Sequence, residues 1–358
     1  MCGGRYIFLP GGWLSGENEL CVYLALDLLR VEVEDAAVMN VSESFFRERS
    51  INNKCEIESA EDLWKWLTES RYCGLAGWRL DSGQNLFFRG QASIGFGLTS
   101  SLYRQCRSFR REKRVKEEDL GRAESAIISE MRRQGIGRRM TDGQLLMVLQ
   151  HHGIPTRLLD VCGSPFESLF FATNELHRRD GCLFLIYPHG DREGNTLKLW
   201  GNEALPWVDS FGGGGPVPQW TSAVYLAPHK SLDPRMHAQN GQFLVGGLSR
   251  VYSGQKMRLL GVSPDQSGGE SRVPVELVPD VSSLNLNFLK IQTREPNFRW
   301  GGTAWVLVVK AEWKEDLMEK LQCHDPEISP DTMYPPLGEV SRLARFVVDR
   351  ELVSNEKN

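Results

Sequence analysis

The sequence predicts an α+β protein, and three observations carry that reading. Short apolar runs at Leu86-Phe87-Phe88, Leu183 to Tyr187, Gln242 to Val245 and Trp305 to Val309 read as buried strands. Segments with helix-start signals stand between them, as at Ser59-Ala60-Glu61-Asp62 and Ser164-Pro165. A charge-dense stretch over 104–139 has the composition of an exposed helical region. The 358 residues suffice for one large domain or two ordinary ones, and 41% hydrophobic with 25% charged residues is a globular balance.

Taken in order, residues 1–54 are the least regular part, and Leu20 to Val31 is their one buried-looking segment. Ser59 then caps an amphipathic helix carrying Leu63, Trp64, Trp66 and Leu67. The strand Leu86-Phe87-Phe88 runs into Arg89-Gly90-Gln91, where glycine lets the backbone turn closely. Arg104 to Lys116 holds seven basic residues against one acid, and MRRQGIGRR adds four arginines. Gln144 to Gln150 reads as a buried helical segment ended by Gly153-Ile154-Pro155, after which Thr156 to Asp160 becomes extended. Ser164-Pro165 opens a helix through Asn174. Phe211 to Pro218 is glycine-rich and reads as a flexible loop, either a lid or a plain connection. Lys314 to Cys323 is an amphipathic helix with acids early and a lysine late. SNEKN closes the chain as a frayed tail.

Several function classes are disfavoured. A formal charge of -4 argues against a uniformly basic nucleic-acid coat, although a local patch over Arg104 to Lys116 remains suited to RNA or DNA. No run approaches the ~18 apolar residues of a membrane span, and the start of the chain lacks signal-peptide features, so the expected compartment is the cytoplasm. The eight cysteines are scattered without a CxxC pair and read as mostly buried reduced thiols. Neither a P-loop, a GxGxxG turn, a GxSxG elbow nor an HExxH pair is present. His151 and His152 do not make a metal pair, because adjacent helical residues point about 100° apart. No metal site is expected; one histidine bonding the backbone near Asp160, and Arg157 paired with a carboxylate, are the structural expectations.

In order, the phrases EIESAEDLWKWL, LFFRGQ, SSLYR, QHHGIPTRLLD, SPFESLFFATN and RMHAQNGQFLV resemble the FRG domain family, named for Phe88-Arg89-Gly90. The later segments VLVVKAEWKEDLMEKLQ and DTMYPPLGEVSRLARF resemble its closing part. The resemblance implies a domain over 56–348 with a basic helical insert at 104–150, preceded by a poorly defined segment 1–55 and followed by a tail 349–358. It implies the split β-sheet of an ADP-ribosyltransferase-like fold, with NAD as substrate and no metal. Arg89 would grip NAD and Gly90, Gln91 and Asp160 would lie beside it. Ser164 would position the ribose, Tyr103 or Phe171 would stack on nicotinamide, and Gln239 or Gln242 would orient the reacting sugar. Glutamine stands where the strongest transferases keep glutamate, so Glu167 or Asp233 enters as a helping acid. The alternative for Arg89 is a core arginine paired with Asp160. By resemblance the protein is an ADP-ribosyltransferase acting on a macromolecule, RNA or DNA included, as a toxin or antiviral-defence effector with a neutralising protein partner. Its runner-up is a non-catalytic NAD-, nucleotide- or partner-binding module of the same fold.

Overall fold

A computed structural model describes residues 41–75, 86–109, 114–151, 153–189, 221, 223–227, 241–248, 277–289 and 300–333. The expectations for Leu20 to Val31, the glycine-rich loop Phe211 to Pro218, Asp233, Gln239 and the tail lie outside these residues. Helix α1 covers 41–49, α2 Ala60–Thr68, α3 Ser101–Phe109, α4 Glu117–Arg133, α5 Asp142–His151, α6 Pro165–Thr173 and α7 Lys314–His324. The strands are β1 Phe87–Gln91, β2 Leu159–Cys162, β3 Gly181–Pro188, β4 Tyr225–Ala227, β5 Gly241–Val245, β6 Leu286–Phe288 and β7 Gly302–Val309.

These seven strands form one sheet in the order β4-β5-β2-β1-β3-β7-β6. Every pairing is antiparallel except β6 with β7. The sheet curls: Gly301, just before β7, and Gly246, just after β5, both pack against the Ala223 backbone that leads into β4. A side chain at Gly301 would strike that backbone, so glycine permits the closure. The inner face holds Phe87, Leu159, Val161, Cys182, Phe184, Ile186, Leu244, Ala304 and Val306, filled from inside by Phe45 and Phe46 of α1 and by Val278, Val281 and Leu284.

Alternate residues of the same strands build the outer face, as a two-residue strand period requires. Phe88, Leu183, Leu185, Trp305, Leu307 and Val309 pack beneath α2, α6 and α7. On the other half, Ala227, Phe243 and Val245 meet Ile128 of α4 and Leu145, Leu146 and Leu149 of α5. Residues ahead of α2 join this same core: Asn52 bonds both the carbonyl and the N–H of Val308 through its side-chain amide.

The capped helix at Ser59 forms as expected, with Ser59 Oγ accepting from Asp62 N–H and the Asp62 carboxylate accepting from Ser59 N–H. The stretch 104–139 departs from a single helical run. Its described residues hold two helices, and extended backbone at Lys116 starts the second, where the Asp119 carboxylate accepts from the Lys116 N–H. Three acids in the first turn suit the positive end of the helix dipole. The cysteines also correct their expectation. Cys162 and Cys182 are buried, Cys55 and Cys106 intermediate, and Cys73 and Cys323 exposed; all six described cysteines are free thiols.

No helix among the described residues is long and apolar enough to cross a membrane.

Candidate functional site at the parting of two strands

Strand β1 alternates strictly. Phe87, Arg89 and Gln91 face inward, while Phe88 and Gly90 face out. The strand therefore continues through Arg89-Gly90-Gln91 instead of turning there. Gly90 serves packing: a Cβ at this position would collide with the Ser168 carbonyl of α6. The glycine of the Phe-Arg-Gly phrase lets α6 lie directly on the sheet, and Gly181 makes the matching approach to the Ala172 carbonyl.

Strands β1 and β2 share one registered pair, Phe88 opposite Cys162. Beside this pair the Arg89 guanidinium enters the gap between the strands. Its Nη1 donates to the Asp160 main-chain carbonyl at 2.6 Å. The Asp160 carboxylate stands 3.6 Å away, beyond hydrogen-bonding reach, and accepts from Gln150 Nε2 at 2.8 Å. Gln150 Oε1 in turn accepts from the Thr156 hydroxyl at 2.7 Å. Arg89 Nε is buried without a partner among the described residues, and the side chain as a whole is 18% exposed. The alternative pairing of Arg89 with Asp160 is thus made through a hydrogen bond to the carbonyl and a longer ion pair to the carboxylate, which Gln150 holds and which remains 46% exposed.

Gln242, the second residue of β5, lies opposite Val161 of β2 and hence on the inner face with Arg89. Strands β5, β2 and β1 are consecutive, so the arginine and the glutamine flank β2 on one surface. Ser164 is the N-cap of α6 directly after β2, and its Oγ accepts from the Phe166 N–H at 3.2 Å. Glu167, in the first turn of the same helix, has a buried Oε2 without a partner among the described residues. Burial pushes the Cys162 thiol up to about 12, against the opposing pulls of the Ser168 hydroxyl and, more weakly, Arg89, so this cysteine stays protonated.

Other expected site residues stand elsewhere. Tyr103 is 3% exposed, with its hydroxyl donating to Asp280 at 2.6 Å and its ring among Leu102, Val115 and Leu120; burial raises its pKa. It has no free face for stacking. Phe171 packs on the outer side with the α6 cluster, across the sheet from Arg89. Gln91 is buried, its amide nitrogen donating to the Gly97 carbonyl, and so fixes the loop after β1. The side chain of His151 and all of His152 lie outside the described residues.

Sequence reasoning placed Gln150 at the head of QHHGIPTRLLD but gave it no task; its contact with Asp160 spans ten residues and a change of secondary structure. It also left the partners of Arg157 unnamed. Arg157 is buried between Glu124 at 2.6 Å and Glu117 at 2.5 Å, both on α4.

No curated protein matches the chain, and no solved structure matches it. A family model described as the FRG domain matches residues 84–181, which run from just before β1 to the first residue of β3. That span contains the arginine, the parting strands and the helix pressed against them, and the protein accordingly carries an FRG domain.

Proposed function

We propose that the gap between β1 and β2, beside Gln242 of β5, binds NAD and that the protein is an ADP-ribosyltransferase acting on a macromolecular target. One observation carries this reading. The Arg89 guanidinium commits Nη1 to the Asp160 carbonyl and keeps Nε, buried and unpartnered among the described residues, on the opposite side. An arginine anchored through one nitrogen presents the rest of its fork to an oxyanion, and a pyrophosphate matches that fork. The order of the remaining groups agrees with the family resemblance: arginine on the first strand, serine at a helix start after the second, glutamine opening a later strand.

When bound, NAD supplies a glycosidic bond whose cleavage releases nicotinamide. The chain's own residues would then divide the work. Arg89 binds the phosphates, Ser164 stands at the positive end of α6, and the Gln242 amide holds a ribose hydroxyl, a contact of the kind that strengthens as such bonds break. Nucleic acid is the target this reading favours, through the basic stretch of the insert. Arg104 and Arg107 do not serve it freely, because they bond the Thr99 carbonyl and Asp280. A toxin or defence role with a neutralising partner belongs to the same proposal and rests on the family resemblance alone.

The second reading is a binding module without turnover, favoured by the neutral amide of Gln242 where an acid would stabilise developing positive charge. The two separate in one experiment. Incubating the chain with labelled NAD and total RNA, DNA or lysate should give label transfer with nicotinamide release, abolished by Arg89→Ala. Saturable NAD binding with no release would leave the module reading; transfer unaffected by Arg89→Ala would overturn the site.

A further inference from the structure

The carboxylate of Asp160 stands beside Arg89 in the gap, yet the two make only a loose ion pair without a hydrogen bond: Nη1 and Oδ2 are 3.6 Å apart. Its Oδ2 instead accepts from Gln150 Nε2 at 2.8 Å. The orientation of that amide follows from its neighbours. A carboxylate only accepts, so the amide nitrogen must face Asp160, and Oε1 is left for the Thr156 hydroxyl. Thr156 Oγ1 already accepts from the Leu158 N–H, which turns its proton toward Gln150. Thr156 is itself fully buried and fixed to Ser101 of α3 through its N–H and its carbonyl. The amide is thus braced from behind by the helical region.

We propose that Gln150 is a positioning residue that restrains the Asp160 carboxylate and so keeps the Arg89 fork open for an anionic ligand. The inference rests on the reading of Arg89 as a phosphate-binding group. Asp160 is the built-in competitor for that fork. Its backbone is fixed in β2 opposite Phe243, but a partly exposed carboxylate moves by side-chain rotation alone. Released from Gln150, it would tighten the 3.6 Å ion pair into a charge-assisted hydrogen bond of about 2.8 Å with the guanidinium. A ligand phosphate would then have to displace an intramolecular carboxylate. Gln150 thereby sets affinity for anions without touching them.

The test uses the full chain, with pyrophosphate and ADP-ribose as probes, titrated by calorimetry at low salt. Wild type should bind and Arg89→Ala should not. Gln150→Met should weaken binding about fivefold, the size expected of one partly exposed ion pair in competition. The decisive arm is the double variant. In an Asp160→Asn background no carboxylate competes, so adding Gln150→Met should change affinity by less than about twofold. A purely structural role for Gln150 would show the same loss in both backgrounds, and that result overturns the proposal. So does unchanged binding by Gln150→Met. Should Gln150→Met unfold, Thr156→Val removes the brace behind the amide and should show the same dependence on Asp160. Absence of Arg89-dependent binding in wild type would instead overturn the reading of the site on which this rests.

Discussion

At the residue scale, Gly90 shows how a family phrase can carry a structural demand of its own. Arg89 faces the inner surface, and Gly90, one step along the strand, faces α6 so closely that its missing side chain is the space the Ser168 carbonyl occupies. Gly90→Ala should therefore cost about 3 kcal/mol or more through forced separation of helix and sheet, measured as a fall in the urea midpoint. Arg89→Ala, by contrast, removes a mostly buried cation bonded to the Asp160 carbonyl without displacing a helix, and should lower the midpoint less than Gly90→Ala while it removes ligand binding. A Gly90→Ala protein with wild-type stability would mean that α6 does not press on β1 as described. The sequence made the glycine conspicuous but gave the wrong reason for it, because the two-residue period that turns Gly90 outward becomes visible only once the strand is known to continue through Gln91.

At the scale of elements, α4 is the clearest case of a segment whose composition misleads. Its exposed basic residues read as a solvated or phosphate-binding face, yet its opposite side carries Glu117 and Glu124 into the interior, where both meet Arg157 ahead of β2. Glu117 also accepts from the Leu248 N–H beyond β5. The helix thus fastens the lead into β2 to the stretch leaving β5, the two strands that hold Asp160 and Gln242. Arg157→Met would leave two buried carboxylates facing each other without a cation, and should cost about 3–5 kcal/mol by chemical denaturation. Replacing all three residues by apolar side chains of similar volume should recover much of that loss. The elements themselves were largely legible: caps, apolar runs and the proline at the start of α6 mark α2, α5, α6, α7, β3, β5 and β7 close to where they form. The three-residue strands β4 and β6 were not, being too short for any periodicity to show. Nor was the partner of Arg157, since Glu117 lies forty positions earlier and only the fold brings it near.

For the whole molecule, the strongest consequence of packing is a dependence of stability on acid. His189 extends β3 and is 5% exposed; its Nδ1 donates to the Trp300 carbonyl at 3.0 Å and its Nε2 accepts from the Thr303 hydroxyl at 2.8 Å. Burial holds its pKa below the ordinary imidazole value, outweighing the carbonyl contact. The unfolded chain therefore takes up the proton first as pH falls from about 6.5, and the stability held above that pH is lost through the depressed folded pKa. Denaturation midpoints between pH 8 and pH 5 should fall on the acid side, and His189→Gln should flatten that part of the curve. A wild-type midpoint flat across this window would contradict a neutral buried His189. The sheet order that gives this position its leverage was not readable beforehand, because local patterns say which residues are buried and not which strands are neighbours.

The interleaved sheet also governs how the chain must be made. Phe87 of the central strand pairs with Ile186, and Leu183 of the next strand pairs with Leu307. At about 5–20 residues per second of synthesis, β1 emerges many seconds before β3, and β3 before β7. During that wait their apolar faces, inner and outer alike, have no sheet to join. The FRG stretch carries the arginine and most of its surroundings, but both strands that complete it, β3 beside β1 and β5 beside β2, arrive later. A nascent chain of this protein therefore holds Arg89 well before it holds the surface around it, and the moment of assembly is set by the last of these strands to be translated.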